Sequence, residues 1–346
     1  MTEPAPTPLH IARLDTLRAV AVSVVVFFHL LPEALPWGYI GVDMFFSLSG
    51  FLMTLLYLQA RATGRDFPAA HFVARRFWRI FPALAITVLV TLLGSFALLA
   101  SEHLNGAGRS GIAAIFSVSN WVFFTESGYF DTDAIFKPLL HTWSLGVEEQ
   151  FYVLFALALL CQRFVPLWVV LALISAVSFG LWLWVVLANA GFSLVTLHNE
   201  PFSALFFLPQ YRAFQFTLGG LAAYWLMNGA PRQSWLEALG GTLMLFGFWS
   251  AASKEAAHIS ALIVTLGMVV LMVKAPLLDA CAGSKVLRYV ARISYQLYLV
   301  HWPVIVFWHY ITLAPLSWGE AVICAVICIA LADLLYHLTN PLRAQI

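Results

Sequence analysis

The chain has 346 residues, 62% hydrophobic and only 10% charged, with a formal net charge of +1. A soluble domain carries about 25% charged residues, so an ordinary soluble enzyme is excluded. Apolar runs of about 18 residues or more recur along the whole length and mark a polytopic, all-α integral membrane bundle in one domain, 1–346.

In chain order, Met1 to His10 is proline-rich and uncharged apart from Glu3. No A-x-A-like cleavage site follows a short apolar region, so it does not read as a cleaved signal. His10 and Asp15 match the short H-x-x-x-x-D pattern of glycerolipid acyltransferases, but a two-residue pattern without its companion blocks recurs by chance. The first predicted span, 17–35, carries Arg18 and, eleven residues on, His29. Eleven residues turn a helix by about 1100°, three turns plus about 20°, and advance it by about 16 Å. The pair therefore shares a face, with the arginine at the membrane edge and the histidine near mid-depth. Ionisable groups at such depth are costly, and the default reading is a functional site.

The second span, 38–60, opens on a glycine-rich stretch containing Asp43, which suits either an interior site or a helix cap. Arg75, Arg76 and Arg79 precede the third span, 80–100, at spacings that a helix brings to one side. Guanidinium forks suit phosphates, and juxtamembrane arginines equally suit lipid headgroups. The apolar stretch 112–125 is too short to cross and reads as interfacial or re-entrant. The fourth span, 144–163, begins after His141 and contains Glu148 and Glu149. Adjacent carboxylates cannot both face one way, so one favours the helix N-terminus and the other faces the interior. Spans follow at 166–188, 204–227, 235–252 and 258–274, with Arg212 inside the sixth. The ninth, 290–311, places Ser294, Tyr298 and His301 on one face, and the tenth is 316–338. Cys161, Cys281, Cys324 and Cys328 show no zinc-ligand spacing, so no disulfide and no metal are expected.

About ten transmembrane helices with both termini cytoplasmic put fourteen of the 18 lysines and arginines inside, three outside and Arg212 within the membrane. An eleventh span at 112–125 would divide them nine to eight, so the positive-inside rule favours ten. The segment 101–143, with Glu126, Asp131 and Asp133, then faces the opposite side. No G-x-S-x-G, H-E-x-x-H or glycine-rich phosphate loop occurs. Two function classes fit intramembrane ionisable groups: a transferase, or a proton-coupled transporter exporting a glycan or lipid.

Five blocks, in order, resemble the membrane acyltransferase-3 family, in the branch that modifies bacterial surface glycans. They are Leu14 to His29 with its arginine, ten residues, histidine spacing; Gly41-Val42-Asp43-Met44-Phe45-Phe46 closing with Leu48-Ser49-Gly50-Phe51; Arg75 to Pro82; Leu140 to Tyr152; and Ser294 to Pro303. Ser47, Gln215 and the run Asn340-Pro341-Leu342-Arg343 depart from the family's usual residues.

The resemblance implies O-acyl transfer from cytoplasmic acyl-coenzyme A, acetyl-coenzyme A being the expected donor, to a hydroxyl of a carbohydrate acceptor. Lipopolysaccharide O-antigen, peptidoglycan and exopolysaccharide are the typical acceptors, and the bacterial inner (cytoplasmic) membrane is the implied location. The family's arginine and histidine roles fall on Arg18, Arg75, Arg76, Arg79 and His29, and its glutamate role on Glu148 with Glu149 as the alternative. From the residues themselves, His29 is the expected general base on the acceptor hydroxyl. Asp43 or Glu148 is expected to orient it, and Tyr298 and His301 are candidates for oxyanion stabilisation or acyl relay. Relatives with the 141–152 signature often carry an appended extracytoplasmic SGNH hydrolase-like domain, and none follows before Ile346. Membrane lipids and a separate extracytoplasmic acyl-accepting protein are therefore expected partners, and no nucleic acid is.

Overall fold

A computed structural model describes residues 11–127, 134–189, 201–229, 233, 235–253 and 256–343. Asp131, Asp133, Arg232 and Lys254, used above to weigh topology, lie outside these residues. Every regular element among them is helical. Proline and glycine set several boundaries. α1 (Ala12–Leu30) stops before Pro32, because proline lacks an N–H and disfavours helical geometry in the residue before it. The predicted continuation to residue 35 is thus turn, and His29 stands in the last turn of α1 rather than halfway along it. α2 (Gly41–Ala62) follows a short 3₁₀ turn, and α3 (Ala69–Leu98) starts directly after Pro68.

The short apolar stretch 112–125 is divided between α4 (Ser101–Ile115) and α5 (Ser119–Glu126). Between them Ser117 takes a left-handed φ of 59°, and the eight residues of α5 reach only about 12 Å. α6 (Trp143–Cys161) and α7 (Leu167–Leu187) are continuous. The sixth predicted span is not: α8 (Pro201–Phe207) and α9 (Ala213–Met227) are separated by a 3₁₀ turn beginning at Pro209. Then come α10 (Trp235–Ala251), α11 (Ala257–Val273), α12 (Pro276–Cys281), α13 (Lys285–Thr312) and α14 (Trp318–Arg343).

Among the described residues, five helical stretches are long and apolar enough to cross a membrane: Gly38–Ala62, Ala69–Leu98, Leu140–Cys161, Leu167–Leu187 and Trp318–Pro341. The other predicted spans are helical but shorter, broken, or diluted by polar side chains, as in α1 with Arg13, Asp15 and Arg18. Large apolar side chains line the outside, with Phe96 78%, Trp249 73% and Leu245 71% exposed, as a lipid-facing surface requires.

α2 is the central helix and α9 lies directly on it. A Cβ on Gly50 would sit 1.8 Å from the Phe216 carbonyl oxygen, and one on Gly219 2.1 Å from that of Ser47. Only glycine permits this backbone contact. Phe216 is then sandwiched between Phe46 and Phe151, at ring separations of 4.6 and 4.3 Å. This contact fixes the face of α2 that carries Asp43 against α9, and leaves the Ser49 side for α6.

Candidate active site

α1, α2, α3, α6 and α13 surround two cavities whose common wall is Val42 and Tyr298. The first, of about 90 Å³, is lined by Arg18, Arg76, Arg79, Ser49, Glu148 and Tyr152. Glu148 Oε1 accepts a hydrogen bond from Ser49 Oγ at 2.6 Å and another from the Tyr152 hydroxyl one turn along α6. Two hydroxyl donors on one oxygen suit an ionised carboxylate, an acceptor only. The Arg76 guanidinium lies 5.6 Å over the Phe72 ring and 5.5 Å over that of Tyr152. Arg18 keeps Asp15 at 3.5 Å. Neither Arg76 nor Arg79 forms a salt bridge among the described residues. Three guanidinium groups against Glu148 and the Asp15 partner of Arg18 leave a positive excess at this cavity, which suits an anion.

Two of the expected residues lie elsewhere. Arg75 is exposed, 5.5 Å over the Phe67 ring, and does not line the cavity. Glu149 accepts from Ser117 Oγ and faces a separate apolar cavity with Trp121 and Phe116. The adjacent carboxylates thus point apart, with Glu148 the one turned inward.

The second cavity, of about 570 Å³, is lined by His29, His141, Tyr39, Trp143, Phe206 and Trp302, among others. His29 Nδ1 is 3.1 Å from His301 Nε2, and His301 Nδ1 is 2.6 Å from the Tyr298 carbonyl oxygen. A carbonyl only accepts, so His301 carries its proton on Nδ1. With both imidazoles neutral, His301 Nε2 accepts and His29 Nδ1 donates. This leaves a lone pair on His29 Nε2. The Trp302 ring stands edge-on at 4.7 Å and limits rotation of the His29 imidazole. His29 thus hydrogen-bonds His301, while Asp43 and Glu148, the groups expected to orient it, are held by other partners. Tyr298 closes the wall between the cavities. Its hydroxyl donates to the His141 carbonyl oxygen at 2.9 Å and lies 2.6 Å from Ser144 Oγ.

Asp43 is occupied on the opposite face of α2. Its Oδ1 accepts from Arg212 Nη1 at 2.6 Å and from Gln215 Nε2 at 2.7 Å. Arg212, buried and ringed by Phe46, Trp143 and Phe206 at 5.1 to 5.8 Å, was visible in the sequence only as an arginine within a span. Its counter-charge could have been sought, since a buried cation needs one. His141 was visible only as part of a motif. Neither of its ring nitrogens has a hydrogen-bond partner among the described residues.

The chain is 39% identical over 181 aligned positions to O-acetyltransferase OatA of Staphylococcus aureus (strain NCTC 8325 / PS 47), covering 51% of this chain and 30% of that protein. It is 30% identical over 321 positions to peptidoglycan O-acetyltransferase OatA of Listeria monocytogenes serovar 1/2a, covering 86% of this chain and 49% of that one. Identity to YrhL of Bacillus subtilis (strain 168) is 30% over 365 positions, 97% of this chain and 55% of the relative. The chain thus spans about a third to about half the length of these relatives. No solved structure matches it. The model of the acyltransferase-3 family, described as an acyltransferase domain, matches residues 11–337. That match runs through every block lining the two cavities, and the chain belongs to the acyltransferase-3 family.

Proposed function

We propose that the chain is an O-acyltransferase that moves an acyl group from a coenzyme A thioester, acetyl-coenzyme A foremost, to a hydroxyl of an envelope glycan. One observation carries this reading: His29, hydrogen-bonded to a buried His301 that a backbone carbonyl orients, lines a cavity that shares a wall with a guanidinium-lined one. A base and an anion site in adjoining chambers are what transfer from a phosphate-bearing donor to a neutral acceptor requires. The glycan acceptor is supported by the name of the Listeria relative.

Ten membrane crossings with both termini cytoplasmic, as charge asymmetry favours, would turn the arginine chamber toward the cytoplasm. Arg79, which is exposed, would meet the donor's phosphates at the rim, with Arg18 and Arg76 further in. A cavity of about 90 Å³ admits a slender chain and no nucleotide, so the nucleotide stays outside while the thioester arm enters. Glu148 holds Ser49 and Tyr152 along that path. At the Tyr298 wall the acceptor hydroxyl gives its proton to His29 Nε2, and its oxygen forms a bond to the thioester carbon. The carbon–sulfur bond breaks, and the thiolate takes the proton back from His29. His301 holds the imidazole and spreads the transient positive charge toward the Tyr298 carbonyl.

The test is acceptor-dependent thiol release from acetyl-coenzyme A by the purified protein, using a soluble peptidoglycan fragment. His29→Ala is expected to lower the rate at least about 100-fold, the usual contribution of a positioned base. Release at the wild-type rate by that variant would overturn the assignment. Acceptor uptake without thiol release would favour a transporter.

A further inference from the structure

A third cavity, of about 150 Å³, adjoins the histidine chamber across Tyr39 and Phe206. Its walls are aromatic: Trp182, Phe202, Phe206, Tyr211 and Phe214. Its polar groups are Arg212, Asp43, Gln215 and His258. The ion pair fixes the rest of the chemistry. Arg212 and Gln215 both donate to Asp43 Oδ1, so the Gln215 amide nitrogen must face the carboxylate and its oxygen must face away. That oxygen has no hydrogen-bond partner among the described residues, although Gln215 is only 1% exposed. His258 Nδ1, on the same chamber, is buried and likewise without a partner among the described residues.

Two orphaned polar atoms lining one aromatic chamber call for a ligand whose groups both donate, to the Gln215 oxygen, and pair with an imidazole nitrogen in either role, as hydroxyls do, because buried polar groups are otherwise paired. The Arg212 charge is already matched by Asp43, so the ligand is neutral. A cavity of roughly this size takes one six-membered ring. A sugar ring meets all three conditions, with hydroxyls at its edge and C–H faces for the aromatic walls. Convergent polar groups in an aromatic pocket are the usual form of such a site.

We propose that this chamber is a glycan subsite, binding the sugar unit next to the one whose hydroxyl is acylated, with Gln215 and His258 as its hydrogen-bonding groups. The proposal rests on the acyltransferase reading and deepens it. Asp43 is then a positioning residue, setting the Gln215 amide and the Arg212 side chain rather than assisting His29.

The test titrates the full chain in lipid nanodiscs with N-acetylglucosamine and with its β-1,4-linked disaccharide, with no donor present. The wild type is expected to bind the disaccharide at least tenfold more tightly than the monosaccharide. Gln215→Leu and His258→Phe should each lose most of that preference, and His258→Gln, which restores a polar atom, should recover it. His258→Phe leaves the ion pair intact, so the proposal survives a Gln215→Leu protein that fails to fold. Equal affinity of wild type and His258→Phe for the disaccharide would overturn the proposal, as would absence of sugar binding by the wild type. Sugar binding as expected in a protein that releases no thiol from acetyl-coenzyme A would instead overturn the acyl-transfer reading alone.

Discussion

At the scale of single residues, helical phase decides which arginine does what. Arg79 lies about 40° round the helix from Arg75 and about 60° from Arg76. The cavity takes the sector from Arg76 to Arg79, and Arg75 falls just outside it on Phe67. Both Arg75 and Arg79 are exposed, so they form a matched comparison. Arg79→Ala should raise the KM for acetyl-coenzyme A about tenfold, the scale of a lost charge-assisted hydrogen bond. Arg75→Ala should leave it within about twofold, and steady-state kinetics with donor varied will show the difference. Equal effects would mean diffuse attraction to a basic rim instead of a built anion site. The spacing of Arg18 and His29 was legible in the sequence because both lie on one helix. The pairing of His29 with His301, 272 residues away, was not, since no local periodicity encodes how α1 and α13 meet. The same holds for Asp43 and Arg212, which need the α2–α9 contact to find each other.

At the scale of helices, the predicted segments match the observed ones wherever an apolar run ends on a plain signal. Pro166 stands immediately before α7, as the span predicted from 166 has it, whereas α3 starts directly after Pro68, eleven residues ahead of the predicted 80. Two further departures also have proline at their root. Pro32 ends α1 early, and Pro209 opens the turn between α8 and α9, which hydropathy alone merges into one span. That break has a use, because it places Arg212 at the N-cap of α9, where its side chain reaches back both to the Phe206 carbonyl and to Asp43. The close approach of α2 and α9 makes a sharp prediction. Gly50→Ala would push a methyl group onto the Phe216 backbone, with no flexible side chain to yield. Overpacking of this kind costs about 1–3 kcal/mol or more, and the variant should melt well below the wild type in detergent. Gly106→Ala, which meets nothing within 4 Å, should not.

For the molecule as a whole, the outer surface is apolar and the polar groups that could do chemistry are gathered inside, as lipid as a solvent demands. Composition alone made that legible. The number of crossings and their direction rest on charge counting and are open to direct measurement. In a background without the exposed Cys161 and Cys281, a cysteine at Asn105 should react with a membrane-impermeant maleimide on intact cells. A cysteine at Asp66 should react only after permeabilisation, and the reverse pattern would invert the topology. With ten crossings as proposed, a water-filled connection between the two chambers would be a leak across the membrane. An elementary charge crossing about 100 mV dissipates about 2.3 kcal/mol, so a continuous wet path would short-circuit the cell that houses it. Tyr298 stands where the chambers meet, latched to Ser144 and to the His141 backbone. In the proposed transfer, the side chain that walls the chambers apart is thereby also the insulation, letting a group pass from one molecule to another while the membrane keeps its voltage.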